Sequence, residues 1–116
     1  MVACGNAPPD STTAGGSSGG GAIQAAGGNR APTAHVSETD ALRFEPASTS
    51  VRVGDVVQWA NTGAIAHNVT FDEGTHSDTM FANDKYAVSF SAAGTFHYVC
   101  TFHSAQGMVG TVTVTG

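Results

Sequence analysis

The folded part of this chain reads as an all-β sandwich or barrel of seven to eight strands. Three observations predict that class. From residue 34 onward, short apolar runs are separated by Gly, Asn or Asp, as in antiparallel β proteins. Strand signals recur along that stretch and helical ones do not. The first third has a different composition: residues 5–33 hold eight of the fifteen glycines, with Ser, Thr, Ala and Pro filling most of the rest. Ile23 is the only large aliphatic residue there, and Asp10 and Arg30 are the only charges. Such a segment cannot bury enough apolar surface to offset its ordering entropy, so residues 1–33 read as a disordered, flexible linker and 34–116 as the folded domain.

The strands expected in order are 34–38, 42–45, 49–53, 55–60, 67–71, 86–90, 94–100 and 108–115. Gly54-Asp55, Asn61-Thr62-Gly63 and Ala93-Gly94 supply turns between them. Pro46 suits a strand end or an edge, because it cannot donate to a ladder. Residues 72–85 (DEGTHSDTMFANDK) show no clean period and read as a loop with room for one helical turn.

The formal charge of −5 is spread without a basic run, which argues against nucleic acid as a partner. No apolar run approaches the ~20 residues of a membrane span. The opening residues matter more. Val2-Ala3-Cys4 followed by Gly5 resembles the end of a bacterial lipoprotein signal, with Cys4 as the lipid-modified residue and the chain starting just upstream of it. A disulfide between Cys4 and Cys100 is not expected, since it would tie the linker to the thiol best placed for a metal.

Alternate residues of a strand share a face. His67, Val69 and Phe71 have one parity, as do Phe96, Tyr98 and Cys100, and Met108, Val112 and Val114. Each polar or sulfur-bearing residue in these sets shares its face with large apolar neighbours, so it points inward at a strand end. Cys100, His103 and Met108 follow one another as Cys-x2-His-x4-Met within VCTFHSAQGMVGTVTV, and His67 precedes Asn68 in AIAHNVTF. Thiolate and thioether sulfur beside two imidazoles suit a copper ion that cycles between Cu(I) and Cu(II). Zinc could occupy the same donors but is redox-silent.

These strings carry a resemblance. GDVVQWANTGAIAHNVTFDE and GTFHYVCTFHSAQGMVGTVTV resemble the plastocyanin, halocyanin and auracyanin group of cupredoxins over residues 36–116. The resemblance implies a Greek-key cupredoxin sandwich and one type 1 copper ion. His67 and His103 would bind through nitrogen, Cys100 through sulfur and Met108 as the long axial contact. It gives Asn68 two jobs: its backbone N–H would bond the Cys100 sulfur and its side chain would brace the ligand loop. It also implies one-electron transfer between membrane redox complexes through the His103 ring edge. The docking patch would be Ile65, Ala66, Phe102, Ala105 and Gly107, for transient protein redox partners. Val99 stands where plant plastocyanins carry an aromatic residue, and only Asp72 and Glu73 remain of their acidic run. Ala66 and Phe102 replace prolines. The closer likeness is therefore to prokaryotic, membrane-tethered members, which implies a monomer held outside the cytoplasmic membrane by a lipid on Cys4.

Two other classes compete. A copper chaperone or storage protein would want exposed, exchangeable sites, often rich in Met or paired Cys, whereas only Met108 of the three methionines is near the site. A copper enzyme would need a second histidine cluster and an open position for substrate, and neither is evident, so no enzyme activity is expected. His97 should face solvent between Phe96 and Tyr98. His35 and His76 are expected to have no metal role. Trp59 shares parity with Val57 and reads as core.

Overall fold

The computed structural model describes residues 22–26 and 31–116. Cys4 and most of the expected linker lie outside the described residues. Within them the chain forms nine strands and one 3-10 turn. The strands are β1 (Ile23–Ala25), β2 (Ala34–Thr39), β3 (Arg43–Glu45), β4 (Ser48–Arg52), β5 (Val56–Asn61), β6 (Thr70–Phe71), β7 (Lys85–Phe90), β8 (Gly94–Val99) and β9 (Val109–Thr115). One sheet has the order β1-β7-β5-β2-β3 and the other β4-β9-β8-β6. The pairs β2–β5 and β4–β9 are parallel, and the rest are antiparallel.

The inner faces follow from strand alternation. In β9, Gly110, Val112 and Val114 are buried while Val109, Thr113 and Thr115 are exposed. Central β5 is flanked on both sides and is buried at Val56, Val57, Trp59 and Asn61. Val36, Phe44, Trp59, Val88 and Phe90 of the first sheet meet Val51, Phe71, Tyr98 and Val112 of the second in one core. Trp59 lies across the interface, edge-on to Phe71 at 5.8 Å and to Tyr98 at 5.2 Å between ring centroids. Aromatic pairs in this geometry add to what area burial alone provides. Between β3 and β4 the chain leaves the edge of one sheet for the edge of the other, and Pro46, joined by a cis peptide bond, sits at that crossing.

The structure corrects the linker at residues 23–25. Ile23 is buried, and β1 pairs with β7, placing Ile23 opposite Phe90. A three-residue edge strand needs only one inward side chain and a neighbour's free edge, a signal too small to show against the surrounding glycine. Two smaller differences concern the site. The expected strand 67–71 keeps a regular ladder only at Thr70–Phe71, with His67 paired to Met80 as an isolated bridge. Residues 72–85 carry bridges at His76 and Met80 and no helical turn, and the one turn of 3-10 helix is Ser104–Gln106 instead.

Candidate metal centre

His67, Cys100 and His103 converge at one end of the sandwich, with their ligating atoms within 4.8 Å of one another. The Cys100 Sγ lies 3.8 Å from His67 Nδ1 and 3.6 Å from His103 Nδ1. The two imidazoles face each other with centroids 5.2 Å apart. Cys100 and His67 are fully buried and His103 is half-buried.

Each side chain is placed by its backbone. Cys100 continues the inward face of β8, one residue beyond its end. Its N–H donates to the Met108 carbonyl, extending the β8–β9 register by one pair past Val99 and Val109. Met108 is fully buried, and its N–H donates to His103. Between them the chain turns tightly, with the His103 N–H donating to the Cys100 carbonyl at 3.1 Å and the Gly107 N–H to Ser104 at 2.9 Å. Gly107 sits at φ 89°, a left-handed conformation that glycine adopts without the Cβ penalty. Cys-x2-His-x4-Met is thus the spacing of a hairpin loop closed by strand pairing.

His67 is pinned from both sides. Its N–H and carbonyl exchange hydrogen bonds with Met80 at 3.0 and 2.7 Å. Its Nε2 lies 3.0 Å from the Thr39 carbonyl, an acceptor only, so Nε2 carries the proton and Nδ1 is left with a free lone pair toward Cys100. Burial holds the His67 pKa below its ordinary value, partly opposed by the Thr39 bond, and the neutral ring is the form that binds metal.

The loop leading to His67 hangs on Asp40, whose Oδ1 accepts the Ala64 and Ile65 N–H groups at 2.8 and 3.0 Å. Those bonds pull its pKa down. Gly63 passes so close to Asp40 that a Cβ there would overlap the carboxylate. The Asn61 amide donates to the Ile65 and Met80 carbonyls, and its Oδ1 accepts from Gly63. The Asn68 side chain bonds the residue after Cys100: Nδ2 donates to Thr101 Oγ1 at 2.7 Å and Oδ1 accepts the Thr101 N–H at 3.0 Å. A bond from the Asn68 N–H to the Cys100 sulfur is not among the hydrogen bonds of the site.

Sequence reasoning missed Thr39, Asp40, Asn61 and Met80. They act through backbone carbonyls or through loops distant in sequence, and neither leaves a motif. The remaining histidines lie apart. His97 is exposed beside Thr111, and His35 and His76 are also exposed. Ile65 is 39% and Phe102 49% exposed, and the Phe102 ring stands 6.3 Å from the half-buried His103 imidazole. Ala105 and Gly107 are exposed and Ala66 is half-buried.

The donors fit copper. Two imidazole nitrogens and one buried sulfur lie at mutual distances that a single ion can span, with a buried thioether held next in register. A thiolate between imidazoles at the end of a β-sandwich defines a mononuclear copper protein. The chain belongs to the plastocyanin/azurin family of copper binding proteins, whose model matches residues 31–115, and copper is its cofactor. It is 36% identical over 90 residues to the plastocyanin of Scenedesmus fuscus, covering 67% of this chain and 92% of that protein. It is 34% identical over 68 residues to amicyanin-alpha of Methylorubrum extorquens, covering 53% of this chain and 57% of that protein. Among solved structures it is similar to a methionine-to-glutamine variant of amicyanin in the Cu(I) form, with a TM-score of 0.63 and 33% identity over 70% of this chain and 81% of that one.

Proposed function

We propose that this protein carries single electrons between redox proteins, with copper held by His67 Nδ1, Cys100 Sγ, His103 Nδ1 and Met108. The observation that carries this reading is the convergence of one buried sulfur and two imidazole nitrogens, with the second imidazole reaching the surface. Bound there, copper supplies one-electron chemistry between Cu(I) and Cu(II). The protein's part is to hold the donors still. Thr39 fixes the His67 ring, the Cys100–Met108 backbone pair fixes the loop, and Asn68 ties Thr101 to the segment leading into β6. A site so braced need change little on gaining or losing an electron. A store or chaperone needs exchangeable donors, and full burial of Cys100, His67 and Met108 favours the carrier over that alternative.

His103 is the exit for the electron, and Ile65, Ala66, Phe102, Ala105 and Gly107 form the docking patch. Small, weak interfaces of this kind permit rapid turnover. The Phe102→Glu variant should bind copper with unchanged visible absorbance and should be reduced more slowly by a donor protein. Unchanged transfer rates would remove the patch from the reading.

The carrier works as a monomer outside the cytoplasm, tethered by a lipid on Cys4. Support for the tether is the Val2-Ala3-Cys4-Gly5 string ahead of a glycine-rich stretch. Mass spectrometry of the native protein should find a diacylglycerol adduct on Cys4, and an unmodified cysteine there would refute the anchor.

A further inference from the structure

The inner face carries a second polar cluster that plays no part in holding the metal. Glu38 of β2 is fully buried, and both of its carboxyl oxygens lack a hydrogen-bond partner. Tyr98 Oη and Trp59 Nε1 are buried and unpartnered as well. Among the described residues, Thr49 Oγ1 is the one other buried side-chain polar atom in that condition. An ionised carboxylate buried without a partner costs several kcal/mol or more, so such a group is expected to hold a proton whenever it can.

The surroundings of Glu38 give it no counter-ion. On its own sheet its register neighbours are Phe44 of β3 and Asn61 of β5, and the Asn61 amide is committed to Ile65, Met80 and Gly63. From the opposite sheet β8 presents Tyr98, whose hydroxyl is kept protonated mainly by burial, with a smaller part from the Glu38 charge. Trp59 lies near enough to ease that effect on Tyr98, but not with hydrogen-bond geometry, and both atoms count as unpartnered. Arg43 of β3 and Lys85 of β7 are exposed. The other titratable groups at this end are Asp40, engaged with Ala64 and Ile65, and the two imidazoles and the Cys100 thiol of the metal centre. Burial alone accounts for a Glu38 pKa raised to about 7.

One short route through the chain joins Glu38 to the metal centre, and Tyr98 stands between the two on the inner face. The next residue, Thr39, places its carbonyl on His67 Nε2. Tyr98 is the inward residue preceding Cys100 on the same face of β8.

We propose that Glu38 is a proton-binding site coupled to the metal centre, taking a proton from solvent when the centre gains an electron from a donor protein and releasing it when the electron leaves. This rests on the electron-carrier reading above. One electron and one proton enter together: the donor protein is oxidised by one electron, an O–H bond of a solvent acid breaks as the carboxyl O–H forms, and the net charge of the interior is unchanged. In a dry interior, that neutrality is worth far more than it would be at the surface. Coupling is reciprocal. If reduction raises the proton affinity of Glu38 tenfold, protonation of Glu38 raises the potential by about 59 mV.

The test is the midpoint potential of the copper-loaded protein as a function of pH, for the native chain and for Glu38→Gln. The native potential should fall as pH rises through neutrality, and the variant should be flat there. In parallel, reduced-minus-oxidised infrared spectra of native protein labelled with carboxyl-13C glutamate should gain a protonated-carboxyl band that shifts with the label. This second measurement decides the matter even if the variant does not fold. A reversible couple with no pH slope, a slope that survives in Glu38→Gln, or the absence of a label-sensitive band overturns the Glu38 assignment and leaves the carrier reading standing. Absence of both a reversible couple and a thiolate charge-transfer band overturns the carrier reading and this assignment with it.

Discussion

Thr39 and Asp40 are adjacent residues that prepare the same ligand by different means. The Thr39 carbonyl selects the tautomer of His67, and the Asp40 carboxylate holds the two peptide groups just ahead of it. Neither is among the metal donors, and neither announces itself in sequence. Asn68 does, because it stands beside His67 in a familiar string. Outer partners of this kind set ligand orientation, and losing one weakens metal affinity about 10- to 100-fold. Asn68→Ala should therefore release copper about 10- to 100-fold more readily in a competition titration against a chelator, with Cys100 still buried. Met108→Gln should lower the reduction potential, because a harder oxygen donor favours Cu(II), and a higher potential by voltammetry would contradict the axial assignment. His67, Cys100, His103 and Met108 were legible because a ligand must be one of a few residue types at loop-compatible spacing. The carbonyl of Thr39 was not, since any residue has one.

At the scale of elements, two close contacts make firm demands. Gly110 of β9 lies directly under the Tyr98 ring, and a Cβ there would overlap the phenol. Tyr98 is enclosed by Phe44, Trp59 and Phe71 and has nowhere to retreat. Gly110→Ala should cost about 1–3 kcal/mol, the usual range for overpacking, seen as a lower urea midpoint at unchanged slope. Ile23→Ala should cost about 2 kcal/mol if β1 is part of the core, the low end for such truncations because the strand is short and at an edge. No loss of stability would place residues 23–25 outside the folded unit. Strands β2 to β5 and β7 to β9 were visible as short apolar runs between turn residues because each buries side chains in the core. The pairing of His67 with Met80 was not, since an isolated bridge within a loop has no period to detect.

For the molecule as a whole, two buried or braced carboxyls pull stability in opposite directions with pH. Between the ordinary carboxyl value of 4.5 and about 7, the folded chain keeps a proton on Glu38 that the unfolded chain has released. The folded state binds more protons there, so stability falls as pH rises through that window and levels off above it. Asp40 works the other way. Its folded value lies below 3.8, so its contribution is present above that pH and is lost as pH falls through the folded value. Urea denaturation of the metal-free protein across pH should show the first decline, and Glu38→Gln should abolish it and exceed the native chain in stability above neutrality. The sandwich itself was legible from residue 34 onward because its two sheets divide the chain into inward and outward residues. Apart from the Asn68 brace, what holds its metal-bearing end together was not, because those bonds join β2, the 61–67 loop and Met80 across long separations in sequence.

One thiolate between two imidazoles is the heart of the metal centre, and the visible absorption spectrum of the copper-loaded protein reads it directly. With Cu(II) bound, the native chain should show an intense charge-transfer band from the Cys100 sulfur that bleaches on one-electron reduction, returns on reoxidation and is absent from Cys100→Ser. A pale native protein with stoichiometric Cu(II), or a band that persists in Cys100→Ser, would contradict it.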